Sequence, residues 1–182
     1  MEIEKTYIDG LLILKPKIHY DNRGSFMETY NLAEYSMNNL MFNFVQDNQS
    51  ISHKGVLRGI HFQKEHPQTK LIRVIKGAIY DVAVDLRKNS STFGQYFGII
   101  LSSENNKQLL IPKGFGHGFF TMNEDTIVAY KVDTHYVPND EGGIKWDDAY
   151  LNIDWPIEEN QLPLLSIKDS CFPSLDEILH IF

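Results

Sequence analysis

Short runs of alternating apolar and polar residues, closed off by turn residues at regular intervals, make up most of the chain. Residues 3–8 and 11–18 read as strands separated by the turn dipeptide Asp9–Gly10. Asp21–Asn22–Arg23–Gly24 begins as a turn and continues as an alternating strand with Phe26, Glu28 and Tyr30 on one face. Residues 44–51 form a strand with Gln46 and Asn48 on one side. Further strands are predicted over 70–76, 78–86, 95–101, 107–111, 118–122 and 126–133. Helical spacing is confined to residues 31–41, capped near Asn31, and to a capped tail over 174–179. Beyond residue 137 the pattern loosens into loops carrying Trp146, Tyr150 and Trp155. No repeat, linker or low-complexity tract divides the chain, so residues 1–182 read as one unit. Many short, evenly spaced strands predict an all-β antiparallel sandwich or barrel with a few short peripheral helices.

Two stretches interrupt this alternation. In Gly55–Val56–Leu57–Arg58–Gly59–Ile60–His61–Phe62–Gln63, the residues Val56, Ile60 and Phe62 suit packing. Arg58 and His61 are costly on an inward strand face unless something there uses them. Downstream, Ile111–Pro112–Lys113–Gly114–Phe115–Gly116–His117–Gly118–Phe119 again sets a histidine among glycines and aromatics. Both histidines are expected to face one pocket inside the barrel.

Composition narrows what that pocket serves. The apolar fraction of 42% and charged fraction of 23% are those of a globular protein, and the net charge of −7 argues against a general nucleic-acid binder. One phosphorylated ligand held by a few local bases remains compatible with it. The single cysteine, Cys171, excludes an internal disulfide and fits a reducing compartment. No apolar run is long enough for a bilayer, and Met1–Glu2–Ile3–Glu4–Lys5 opens no signal-peptide core, so a cytoplasmic protein with no membrane partner is expected.

Pro112–Lys113–Gly114–Phe115–Gly116–His117 matches the Pro-x-Gly-x-x-His pattern of the second cupin motif. The first motif would require His-x-His and then a glutamate. This chain has His61–Phe62–Gln63 and, ahead of Gly77, Lys70. A lysine repels a cation, so a cupin jelly-roll barrel without a metal or other cofactor is expected. His61, Lys70, Arg58 and His117 together suit proton abstraction beside a carbonyl. A histidine moves the proton, and a cation holds the enolate oxygen.

The chain resembles the dTDP-4-dehydrorhamnose 3,5-epimerase family of the cupin superfamily over nearly its whole length. The marks are Asp21–Asn22–Arg23–Gly24, Gln46–Asp47–Asn48, Gly55 to Gln63, Lys70–Leu71, Asp81 to Arg87 and Ser91–Thr92–Phe93–Gly94. They continue with Ile111–Pro112, Gly114 to Phe119, Tyr130–Lys131, Trp146–Asp147–Asp148, and Ser166 with Lys168–Asp169. The resemblance implies that His61 is the base removing protons alpha to a C4 ketone, at C5 and C3. It implies that Asp169 orients His61, that Tyr130 returns a proton from the opposite face, and that Lys70 holds the enolate oxygen. Arg58, His117, Gln46 and Asn48 would hold the sugar and diphosphate. Arg23 and Glu28 would reach the nucleotide across a homodimer interface, and Lys168 is a further candidate for binding the substrate.

Where family members stack two aromatics on thymine, this chain has His19 and His135, with Tyr20 and Tyr136 adjacent but expected to point elsewhere. A guanosine-linked 4-keto hexose or heptose is therefore an alternative substrate. A non-catalytic sugar-nucleotide-binding barrel is the competing reading, and the full set of acid, base and orienting residues speaks against it.

Overall fold

The computed structural model describes all 182 residues. In chain order the first elements are β1 (Glu2–Lys5), β2 (Leu12–Lys15), β3 (Ile18–Asp21), β4 (Gly24–Met27), α1 (Leu32–Met37) and β5 (Gln46–Ser52). The central strands are β6 (Leu57–Gln63), β7 (Lys70–Lys76), β8 (Ala78–Asp85), β9 (Tyr96–Ser102) and β10 (Gln108–Ile111). Then come β11 (Phe115–Thr121), β12 (Thr126–Val132), β13 (Glu141–Gly143) and α2 (Leu175–Ile178). Two antiparallel sheets result, ordered β1-β2-β10-β7-β12-β5 and β13-β6-β11-β8-β9, beside a separate β3–β4 hairpin. This is the expected all-β, cupin-type jelly roll.

Alternation decides what each strand buries. Ile13, Ile72, Val74, Leu109 and Val128 of the larger sheet meet Ile79, Ala83, Leu101, Phe115 and Phe119 of the smaller one. The other face of the smaller sheet also packs: Val82 and Val84 contribute to a layer with Leu151, Trp155, Leu175 and Ile178 from the chain's last third. On the outer face of the larger sheet, Leu14, Leu71 and Leu110 are covered by Tyr35 and Leu40. Each fully buried aliphatic side chain is worth roughly 1.5–3 kcal/mol, so the loop-rich last third is held by its apolar anchors.

Several boundaries differ from expectation for local reasons. The strand expected over 11–18 divides at Pro16, which has no N–H to give a ladder. The strand expected to carry Phe26, Glu28 and Tyr30 on one face ends at Met27. Tyr30 instead packs edge-on against Tyr35 and Phe44, while Phe26 stays exposed. The helix expected over 31–41 is capped by Asn31, whose side chain accepts from the Ala33 and Glu34 N–H groups, but it ends at Met37. Asn39 then adopts a left-handed φ of 60° and turns Leu40 back to the core. β13 was not expected, because Glu141–Gly142–Gly143 has little strand propensity; pairing with β6 forms it.

One irregularity places the site. On β11, His117 pairs with His61 and Phe119 pairs with Arg58, so three steps along β6 match two along β11. The extra residue is a bulge at Gly59, whose φ is +111°. Arg58 and His61 would face opposite sides of a regular strand; the bulge turns both toward one cavity. A Cβ on Gly59 would lie 2.5 Å from Gly118 Cα and 2.6 Å from the His117 carbonyl oxygen. Both neighbours are backbone, so neither yields cheaply. Gly59→Ala is expected to cost about 2 kcal/mol, or about 4–8 °C in Tm for a chain of this size by calorimetry. An unchanged Tm would show that the close approach is not a constraint.

Candidate active site

A cavity of about 430 Å³ lies between the two sheets. The alternation of β5 sends Gln46, Asn48 and Ser50 into it, while Asp47 faces out and the exposed Gln49 reaches only its edge. Gln46 Nε2 donates to Asn48 Oδ1 at 2.7 Å, so the pair presents one fixed polar edge. Lys70 opens β7 at the same level. Tyr130 enters from β12, in register with Asn48 on one side and Ile72 on the other. From the opposite sheet come Arg58 and His61 on β6 and His117 on β11. The expectation that both histidines share one pocket therefore holds.

Each histidine is paired with a carboxylate. His61 Nε2 lies 2.6 Å from Asp169 Oδ1. Asp169 sits in a 3-10 turn, 4% exposed, where its own N–H donates to Ser166 Oγ. Burial alone would raise the Asp169 carboxyl; the hydrogen bond and charge of His61 outweigh it and hold the group below its usual range. The edge of the Phe172 ring packs on the His61 imidazole, with centroids 5.5 Å apart. His117 Nε2 lies 2.8 Å from Asp81 Oδ1, with both groups buried. Burial pushes His117 down, against the pull of Asp81. The second Asp81 oxygen is buried with no partner.

The remaining groups are also perturbed. Burial pushes the Lys70 ammonium down to about 8, opposed by Glu141 and Asp81. Burial, then Glu141, raises the Tyr130 phenol, opposed by Arg58. Arg58 Nε donates to Ser52 Oγ at 3.1 Å, which steadies the guanidinium at the wall. The cavity thus holds a carboxylate-oriented imidazole, a phenol that keeps its proton at neutral pH, and two cations. That set can take a proton from one side of a bound carbon, return one from the other, and neutralise the oxyanion between.

Not every expected residue converges here. His19, Arg23 and Glu28 lie on or beside the β3–β4 hairpin, where His19 lines shallow grooves separate from the His61 cavity. Arg23 NH2 pairs with Asp21 Oδ2 at 2.6 Å and is otherwise exposed. His135 is exposed, whereas Tyr136, expected to point away, lines the cavity. Residues 133–137 are not a strand, so alternation does not apply to them. Lys168 does not line the cavity; its ammonium bonds Glu141 Oε2.

Besides Tyr136, the site has two carboxylates that the sequence does not single out. Glu141 lies with Oε1 3.7 Å from His61 Nδ1, and its Oε2 accepts from the Tyr136 hydroxyl at 2.6 Å. Nothing periodic marks Glu141, because its strand exists only through pairing with β6. Asp81 opens the Asp81–Arg87 family mark and pairs with His117. Its inward position on the apolar strand β8 was a legible signal, since a buried carboxylate needs a partner.

The chain is similar to known proteins over nearly its whole length. Residues 5–177 match the family model for dTDP-4-dehydrorhamnose 3,5-epimerase. The enzyme of that name from Methanothermobacter thermautotrophicus is 50% identical, covering 95% of this chain and 94% of its own. The one from Salmonella typhimurium is 49% identical, covering 98% of each. The crystal structure of the Legionella pneumophila dTDP-6-deoxy-D-glucose-3,5-epimerase, in complex with dTDP-4-keto-L-rhamnose, superposes with a TM-score of 0.93 at 46% identity, covering 97% of this chain and 94% of that one. With the jelly roll and the paired histidines already in place, these matches over nearly the full length show that the chain belongs to the dTDP-4-dehydrorhamnose 3,5-epimerase family.

Proposed function

We propose that this chain is an isomerase that inverts C5 and C3 of a dTDP-linked 4-keto-6-deoxy sugar through enolate intermediates. The observation that carries the reading is the His61–Asp169 pair facing a cavity that also holds Lys70 and Tyr130. In this reading Asp169 fixes the ring so that Nδ1 presents its lone pair to the substrate. His61 removes the proton alpha to the ketone, Lys70 holds the enolate oxygen, and Tyr130 protonates the opposite face. Arg58, His117, Gln46 and Asn48 position the sugar and diphosphate. Thymidine is favoured over guanosine because relatives near 50% identity carry dTDP in their names. The single, exposed free thiol of Cys171 supports a cytoplasmic setting.

A homodimer would bring in the residues that lie outside the cavity. The β3–β4 hairpin pairs with neither sheet of its own chain and exposes Tyr20 (76%) and Phe26 (68%). In this reading it docks on a second copy, where His19, Arg23 and Glu28 reach the nucleotide.

Three measurements test these roles. In deuterated water with a dTDP-linked 4-keto-6-deoxy sugar, NMR should show exchange at C3 and C5, with the guanosine-linked sugar turned over far more slowly. His61→Asn should lower exchange by about 10²–10⁴-fold, and retained exchange would refute the base assignment. Lys70 acts as a cation, so kcat/KM should fall as pH rises through about 8, and Lys70→Met should abolish that limb. A limb unchanged in the variant would contradict the role. By sedimentation the protein should run at twice the chain mass, and the double variant Tyr20→Ser/Phe26→Ser should shift it toward monomer with a raised KM. A monomeric wild type would overturn the homodimer.

A further inference from the structure

We propose that Glu141 is the port through which His61 sheds its proton between the two inversions. This rests on the reading that His61 serves as base at both carbons. One base that takes two protons in a single encounter must lose the first before it can take the second. With substrate filling the cavity, the proton on Nδ1 cannot leave the way it came.

The surroundings of His61 leave one exit. Asp169, from the 3-10 turn, is already committed to Nε2 and is buried. Phe172 packs edge-to-face with the ring. His117, from the paired strand β11, is bonded to Asp81. Lys70 and Arg58 are cations, and Tyr130 is the opposing acid. Glu141 on β13 is the carboxylate beside Nδ1, at 3.7 Å. That spacing is an ion-pair distance, longer than a hydrogen bond, as expected while Nδ1 carries a lone pair. The far oxygen of Glu141 meets the surface. It accepts from the Tyr136 hydroxyl and from Lys168, whose side chains are close to half exposed.

The step balances without a further reagent. The His61 Nδ1–H bond breaks as a Glu141 Oε1–H bond forms, and the imidazole returns to neutral. The carboxyl then passes its proton to water at the Tyr136–Lys168 edge, and the Tyr130 phenolate regains one from water. Burial would raise the proton affinity of Glu141, but Lys168 and Tyr136 outweigh it and hold it low. Glu141 therefore passes the proton on and does not keep it.

The test is the ratio of doubly to singly deuterated sugar at early times, read by NMR with a dTDP-linked 4-keto-6-deoxy sugar in deuterated water. Glu141→Gln keeps the shape but cannot take the proton. The ratio should fall by about 10²-fold, the lower end of what removing one proton-transfer group costs, and Glu141→Asp should restore part of it. An unchanged ratio, or equal loss of both exchanges in a folded variant, would overturn the port. Should Glu141→Gln fail to fold, Lys168→Met carries the test. It leaves a carboxylate of higher proton affinity, so the ratio should drop as pH is lowered, and the wild-type pH dependence would contradict the proposal. His61→Asn separates the two readings. If it retains exchange, the base assignment fails; if it is dead while Glu141→Gln keeps the wild-type ratio, only the port fails. A wild type labelling one carbon alone would instead overturn the two-centre reading.

Discussion

The contact between His61 Nε2 and Asp169 Oδ1, 2.6 Å across 108 positions of sequence, is the point on which the site depends. It fixes the ring in a pocket whose other walls come from both sheets, and it leaves Nδ1 free toward the cavity. Both ends of the contact need separate support. At one end the bulge at Gly59 turns β6 so that His61 and Arg58 face the same space. At the other end a largely irregular segment must be held against the barrel. Apolar anchors do part of this, with Trp155, Leu175 and Ile178 packed on the smaller sheet. Backbone bonds of Leu164 to Gly55 and Leu57 add to this, as does the buried Asp148, which accepts from the Tyr150 and Leu151 N–H groups through Oδ1 and from the Leu175 N–H through Oδ2.

The cavity sets cations against carboxylates in an otherwise apolar interior. Lys70 would be costly to bury alone; the charges of Glu141 and Asp81 oppose that cost, while Arg58 stays exposed at the cavity wall. The two histidines sit side by side in register on paired strands, yet their surroundings differ. His117 is buried with its aspartate, and burial lowers its proton affinity, which suits a neutral hydrogen-bond donor. The His61 ring is more open and faces a second carboxylate. In the proposed reading, similar pairs in different surroundings let one pocket hold both a binding group and a base.

Much of this was legible in the sequence because strands advertise their faces. Alternation located most strands and put Gln46 with Asn48; Lys70 against the first cupin motif pointed away from a metal ligand. Asp169 was reachable only through family resemblance, since no local pattern links it to His61. Glu141 was not legible, because Glu-Gly-Gly becomes a strand only when β6 is beside it. Tyr136 was misjudged because a strand rule was applied to a segment that is not a strand. The turn at Asp21–Gly24 is legible, but alternation misses β3 with His19 and carries the next strand past Met27 to Glu28 and Tyr30; the hairpin pairs with neither sheet of its own chain.

The most direct measurement is the tautomer of the neutral His61 ring, read from its 15N shifts in imidazole-labelled protein and assigned by their loss in His61→Asn. A base oriented by Asp169 requires a protonated Nε2 and a bare Nδ1, with shifts of pyrrole and pyridine type respectively. The reverse pattern, a protonated Nδ1 in the neutral ring, would leave no lone pair facing the cavity and would contradict the account.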